Sequence, residues 1–108
     1  ADLAGTPLLS QGRLLYAQRG CVACHRIRGV GGALGPDLTF VGGRKRDPAW
    51  HLRHFKDPQA TVLGSTMPPF KHLPEEELKA LTVYMLSLRQ LPAALLPAPP
   101  TAAASGAR

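Results

Sequence analysis

Cysteine is scarce in this chain. Cys21 and Cys24 are the only two among 108 residues, and one short motif uses both, which leaves nothing for a disulfide framework or a free thiol. Acidic side chains are few as well: 7 Asp and Glu stand against 13 Lys and Arg, for a net charge of +6 and an isoelectric point near 10.0. The basic residues are scattered, with Arg44-Lys45-Arg46 as the one run, so a nucleic-acid partner is not indicated. No apolar run reaches the length that crosses a bilayer, and no signal-peptide pattern opens the chain. No internal repeat is present. The hydrophobic content of 44% is ordinary. One domain of this length nevertheless buries a limited share of its surface, and gains from a large apolar nucleus supplied from outside.

The stretch that answers this need is Cys21-Val22-Ala23-Cys24-His25. Cys-x-x-Cys-His is the form of covalent c-type haem attachment. In a helical turn, residues three apart share a face. Both thiols can then form thioethers with the two vinyl groups of one haem, while His25 brings an imidazole nitrogen to the iron. Val22 and Ala23 are small and apolar and leave the macrocycle unobstructed. Two other chemistries use such a pair. A thioredoxin-like site opens a helix after a buried strand, and no Val/Ile-rich strand precedes Cys21. A zinc site needs two more ligands, for which His51 and His54 are available. The adjacent His25 is explained by the haem reading alone.

Along the chain, residues 1–7 read as a lead-in and 8–19 as a helix with Leu8, Leu9, Leu15 and Tyr16 on its apolar face. Gly12 inside it predicts the close approach of another backbone, and Gly20 predicts its end. Residues 26–46 read mostly as loop, because Gly29, Gly31, Gly32, Gly35 and Pro36 break any long element. Asp47-Pro48 is a helix-start signature and predicts a short helix to about Lys56, with Trp50 and His54 on one side. Asp57-Pro58 stops it. After a loop over 63–72, Pro74 and three glutamates predict a helix to about Gln90, with Leu73 at the cap position. Its buried stripe is Leu78, Leu81, Tyr84 (or Met85) and Leu88. The domain runs over 1–90, and the Ala- and Pro-rich residues 91–108 read as a tail or linker.

A haem held through His25 has a sixth position to fill. Met67, in Ser65-Thr66-Met67-Pro68-Pro69, offers a thioether on a proline-stiffened loop, and His/Met ligation typifies electron-carrying cytochromes. Met85 has core spacing in the last helix. His51, His54 and His72 read as surface or supporting groups, with His54 or His72 as the substitute should Met67 not ligate.

Residues 12–89 resemble the class I mono-haem c-type cytochromes of bacteria. The likeness is carried by Gly12 through Tyr16, the Cys-x-x-Cys-His motif, Gly35-Pro36-Asp37-Leu38, Met67-Pro68 and the Glu-rich last helix with Tyr84. The resemblance implies an all-α, small cytochrome c fold, its N- and C-terminal helices packed crosswise around one covalently bound haem c, with Tyr16 and Tyr84 at the contact. It also implies that the Pro36 carbonyl accepts the proton of the non-ligating His25 nitrogen. Leu38 is then expected on the haem, and Arg44 and Trp50 toward its propionates.

The expected function is one-electron transfer by a soluble, monomeric carrier that is not an enzyme. Arg13, Arg19, Arg26, Arg28 and Lys71 would form a basic face toward an acidic redox partner. Two alternatives stay open: the electron-entry domain of a larger oxidoreductase or respiratory complex, and a five-coordinate haem enzyme or sensor, for which no distal His/Arg pair is evident. Because covalent haem attachment is completed outside the cytoplasm, a periplasmic or otherwise extracytoplasmic location is expected. Ala1 at the start fits a processed N-terminus.

Overall fold

Leu15 and Tyr16 are the residues that α1 (Gly5–Gln18) commits to the core, with Leu8 and Leu9 half-buried beside them. The computed structural model describes residues 5–89, so the tail read over 91–108 lies outside the described residues. α1 begins inside the stretch read as a lead-in. Pro7 does not prevent this, because first-turn N–H groups have no intrahelical partner to lose. Gly20, at φ 86°, then takes the left-handed conformation that ends a helix at little cost only in glycine.

Directly after it, α2 (Cys21–Cys24) is a single helical turn. A two-residue hairpin follows, β1 (Arg26–Ile27) against β2 (Val30–Gly31), antiparallel. Its turn residues Arg28 and Gly29 both have positive φ, 51° and 85°, as a tight primed turn requires. Ile27 from this hairpin is fully buried.

The glycine-rich stretch expected to be loop also holds a short helix, α3 (Val41–Arg44). Tertiary contact explains it. Gly42 lies against the carbonyls of Met85 and Leu86, and its N–H donates to the Leu88 carbonyl at 2.8 Å, which satisfies an orphan acceptor at a helix end.

α4 (Pro48–Lys56) starts where the Asp-Pro pair predicts: Asp47 Oδ1 accepts the Ala49 N–H at 3.0 Å. An Asp47→Ala variant is expected to lose about 1 kcal/mol, read as a lower urea midpoint at unchanged slope. α5 (Pro58–Thr61) is one further turn.

α6 (Glu75–Ser87) carries three glutamates in its first turn, where the helix dipole favours them. Its cap residue is Pro74, and Leu73, placed at the cap by the sequence pattern, is buried in the core instead. Leu78, Leu81, Tyr84, Met85 and Leu88 are all buried, so the stripe includes both members of the Tyr84/Met85 alternative. The helix ends at Ser87 rather than near Gln90.

α1 and α6 form the principal contact. A Cβ on Gly12 would collide with the Ala80 carbonyl and lie 2.8 Å from Tyr84 Cβ. Tyr16 and Tyr84 meet edge to face, with ring centroids 5.7 Å apart and planes at 68°. The fold is the mostly helical one that the resemblance implies. Among the described residues, no helix is long and apolar enough to cross a membrane.

Candidate metal centre

α2 places its two cysteines at the ends of one turn, and both face a cleft of ≈ 640 Å³. His25 follows and lines the same cleft, as do Pro36 and Leu38 from the next loop. Arg44 of α3, Trp50 of α4 and Met67 of the loop after α5 complete the expected set. The structure therefore brings all of the sequence-predicted residues to one place.

The His25 wall is tightly built. Nδ1–H of His25 donates to the Pro36 carbonyl at 2.8 Å, so Nε2 is the ring nitrogen left for a metal. Two backbone bonds strap the following loop to the motif: Gly32 N–H to Val22 O at 3.0 Å and Gly35 N–H to Cys24 O at 2.7 Å. A Cβ on Gly35 would stand 2.6 Å from His25 Cε1 and 2.8 Å from Nδ1. Only a residue without a side chain lets the chain pass this close to the ring.

Burial pushes the Cys21 thiol up to about 11, and nearby Cys24 adds a smaller rise, against a lowering from a backbone hydrogen bond. A thiol-exchange site works through a depressed cysteine pKa, the opposite direction to that at Cys21. For zinc, no three His, Cys, Asp or Glu side chains among the described residues converge as a bare ion requires. His51 is engaged elsewhere: read as a surface or supporting group, it is 2% exposed and donates Nε2–H to the Lys45 carbonyl at 2.7 Å.

On the other elements, Arg44 Nη2 donates to the Asp37 carbonyl at 3.1 Å. The Asp37 carboxyl is held below its usual range chiefly by hydrogen bonds from Thr39, with Arg26 and Arg44 adding to them. Trp50 stacks on His54, centroids 4.6 Å apart at 11°, and Lys45 Nζ lies 4.9 Å from the Trp50 ring. His54 also lines the cleft, and its pKa is lowered first by burial and then by His25, His51 and Lys45. Met67 is half-buried; its N–H donates to Ser65 Oγ and its carbonyl accepts from Gln59 Nε2, both at 3.1 Å.

Several lining residues were not singled out for the site from sequence: Tyr16, Phe55, Phe70 and Met85. Helical spacing marks Tyr16 and Met85 as core, and nothing in a periodic pattern separates core from cleft wall. Tyr16 Oη is a buried polar atom without a partner. Of the expected basic face, Arg19 is bound to Glu77 through Nε and Nη2, with contacts of 2.8 to 3.1 Å, while Arg26 and Lys71 are exposed.

These residues fit a haem. The lining is largely apolar and aromatic, two thiols stand three apart on one turn, and an imidazole with a free Nε2 shares the cleft with a thioether. The arrangement can hold a flat macrocycle and give its iron two protein ligands.

Comparison with known proteins agrees. The model of the family described as "Cytochrome C oxidase, mono-heme subunit/FixO" matches residues 31–92. That match begins beyond His25, so it is independent of the cysteine motif. A cytochrome c oxidase subunit 2 of Alkalihalophilus pseudofirmus is 32% identical over 93 residues, 76% of this chain and 26% of that protein. The chain thus spans about a quarter of that relative's length. The crystal structure of the c-type cytochrome SorU from Sinorhizobium meliloti shares the fold, with a TM-score of 0.60 at 22% identity, over 78% of this chain and 93% of that one.

The fold and the site define a mono-haem c-type cytochrome, whose chemistry is haem-based electron transfer. The chain belongs to the mono-haem cytochrome c oxidase subunit family, FixO.

Proposed function

We propose that this chain is a His/Met-ligated electron-entry domain, which receives one electron from a donor protein and passes it on within a larger oxidase assembly. The observation that carries this reading is the His25 ring: the Pro36 carbonyl holds its Nδ1–H, and its cleft also contains Met67. The haem, when bound, supplies an iron that cycles between ferrous and ferric states. The chain's part is to hold and tune it. Cys21 and Cys24 would hold it as thioethers, and His25 and Met67 would be the protein ligands to its iron, the sulfur favouring the reduced form. Pro36 orients His25 and makes it a stronger donor. Arg44 has guanidinium N–H groups beyond the one on Asp37, and Trp50 has its indole N–H, for the propionates. Leu38, Phe55 and Leu81 line the cleft with apolar surface. With His25 and Met67 both bound, the iron would offer a substrate no open site, which favours an electron carrier over an enzyme.

The net charge of +6 steers an acidic partner into a brief encounter, with Arg26 and Lys71 available for it. The domain works outside the cytoplasm, where covalent haem attachment is completed. The electron-entry role is supported by the oxidase-subunit relative, of which this chain spans one part. A free monomeric carrier is the second reading, favoured by the close packing of α1 on α6 within this one chain. Native fractionation separates the two: co-migration with a membrane oxidase supports the first, and elution at the mass of a single small chain the second.

Met67→Ala tests the ligation. The oxidised wild type is expected to show the weak far-red band of ferric iron–methionine sulfur, and the variant to lose it. The variant's reduction potential is expected to fall by on the order of 0.1 V, within the roughly 0.8 V that axial ligands command. A wild type that lacks the band and binds carbon monoxide readily when reduced would instead have an open site.

A further inference from the structure

Two imidazoles in this cleft are prepared in the same way, although only one belongs to the attachment motif. His25 donates Nδ1–H to the Pro36 carbonyl. At His54, the Thr61 hydroxyl gives its proton to the Pro58 carbonyl at 3.1 Å, so its oxygen is left to accept. Nδ1–H of His54 donates to that oxygen at 2.5 Å. The proton of His54 is thereby assigned to Nδ1, and Nε2 carries a lone pair, which is the form a metal takes. Trp50, one helical turn earlier, stacks on the ring and fixes its plane. His54 lines the cleft together with His25 and Met67.

The other histidines lack this arrangement. His51 is buried, with Nε2–H engaged by the Lys45 carbonyl. His72 is exposed, and its ring contact is with Phe70.

Met67, in contrast, is held by local bonds to Ser65 and Gln59 in a loop without regular structure. Neighbouring Val62 and Leu63 are exposed, Leu63 by 99%. Met67 itself is only partly buried against the core.

We propose that His54 is a second, reserve ligand for the iron: it takes the sixth position when the Met67 sulfur leaves it. The exchange is balanced without any other reactant. One iron–sulfur bond breaks, one iron–nitrogen bond forms, and no proton moves because Nε2 bears none. Imidazole stabilises ferric iron relative to thioether, so the exchange favours the oxidised protein and lowers the potential. The inference rests on the haem reading of this cleft.

The test uses haem-loaded Met67→Ala protein, examined in the ferric state by optical and electron paramagnetic resonance spectroscopy. The expected result is a predominantly low-spin iron with two nitrogen axial ligands, and conversion to predominantly high-spin iron in Met67→Ala/His54→Ala. A high-spin single variant, or a double variant that stays low-spin, overturns the proposal and leaves the haem reading intact. A chain that takes up no haem overturns both.

A second measurement avoids substituting Met67. Sub-denaturing guanidinium is added to ferric wild type and to His54→Ala until the iron–sulfur band disappears. Wild type is expected to remain low-spin while His54→Ala becomes high-spin; the same spin state in both overturns the assignment.

Discussion

Replacing Cys21 and Cys24 together by alanine is expected to abolish covalently retained haem, whereas either single replacement leaves one thioether and a weaker stain. Denaturing electrophoresis followed by haem staining reads the difference directly. Wild type stains at the position of the chain, and the double variant does not. The reason lies in the economy of the motif: these are the only cysteines of the chain, they stand at the two ends of one helical turn, and no other side chain can make a thioether to a vinyl group. Stain persisting in the double variant would mean that the group is held by other residues. The double variant is also expected to melt at a lower temperature. The cleft of ≈ 640 Å³ borders Tyr16, Leu81 and Met85 of the core, and those side chains lose their apolar partner when the haem is absent.

The second large effect concerns the helix pair. Gly12→Leu is expected to destabilise the protein by about 3 kcal/mol, because a side chain there must force α1 away from α6. The Cβ alone would strike the Ala80 carbonyl and crowd Tyr84 Cβ, and both belong to rigid helix rather than to a mobile side-chain tip. For a domain of this size that corresponds to a fall in melting temperature of roughly 15 °C. Gly43→Ala is the control. A Cβ there meets nothing within 4 Å, so its melting temperature is expected to stay close to that of wild type. Equal shifts in the two variants would show that the loss at position 12 does not come from the collision, since both substitutions raise helix propensity. The separation of Tyr16 from Tyr84, now 5.7 Å between centroids, offers a structural readout, since any widening of the helix pair opens that contact.

Helix spacing is a local property, and it was legible wherever one face of a helix is apolar. Leu15, Tyr16, Leu78, Leu81 and Leu88 follow from periodicity alone, and all are buried. Asp47-Pro48 predicted the start of α4 because capping and a fixed proline φ act within a few residues. The start of α1 and the end of α6 were less legible. Residues 5–7 fall in the stretch read as a lead-in and yet belong to α1, and the last residues before Pro92 carry no local signal for a helix that ends at Ser87.

α3 was not legible at all. Val41-Gly42-Gly43-Arg44 has poor helix propensity, and it becomes helical because Gly42 lies on the end of α6 and binds the Leu88 carbonyl. His51 is a similar case. Nothing in its neighbours marks it as buried; the Lys45 carbonyl, brought round by the chain between α3 and α4, satisfies the ring in the interior.

The sequence by itself determined the chemistry. Two thiols and an imidazole within five consecutive residues define a cofactor motif wherever they are folded, because the ligand spacing is set by one turn of chain. The tertiary structure alone decided how that chemistry is framed. It brought Met67, Trp50 and Arg44 from distant segments to the wall that His25 shares, paired one ring nitrogen each of His25, His54 and His51 with the Pro36 carbonyl, the Thr61 hydroxyl and the Lys45 carbonyl, and bound Arg19 to Glu77. Such partners lie far apart in the chain, and only packing between helices brings them within bonding distance.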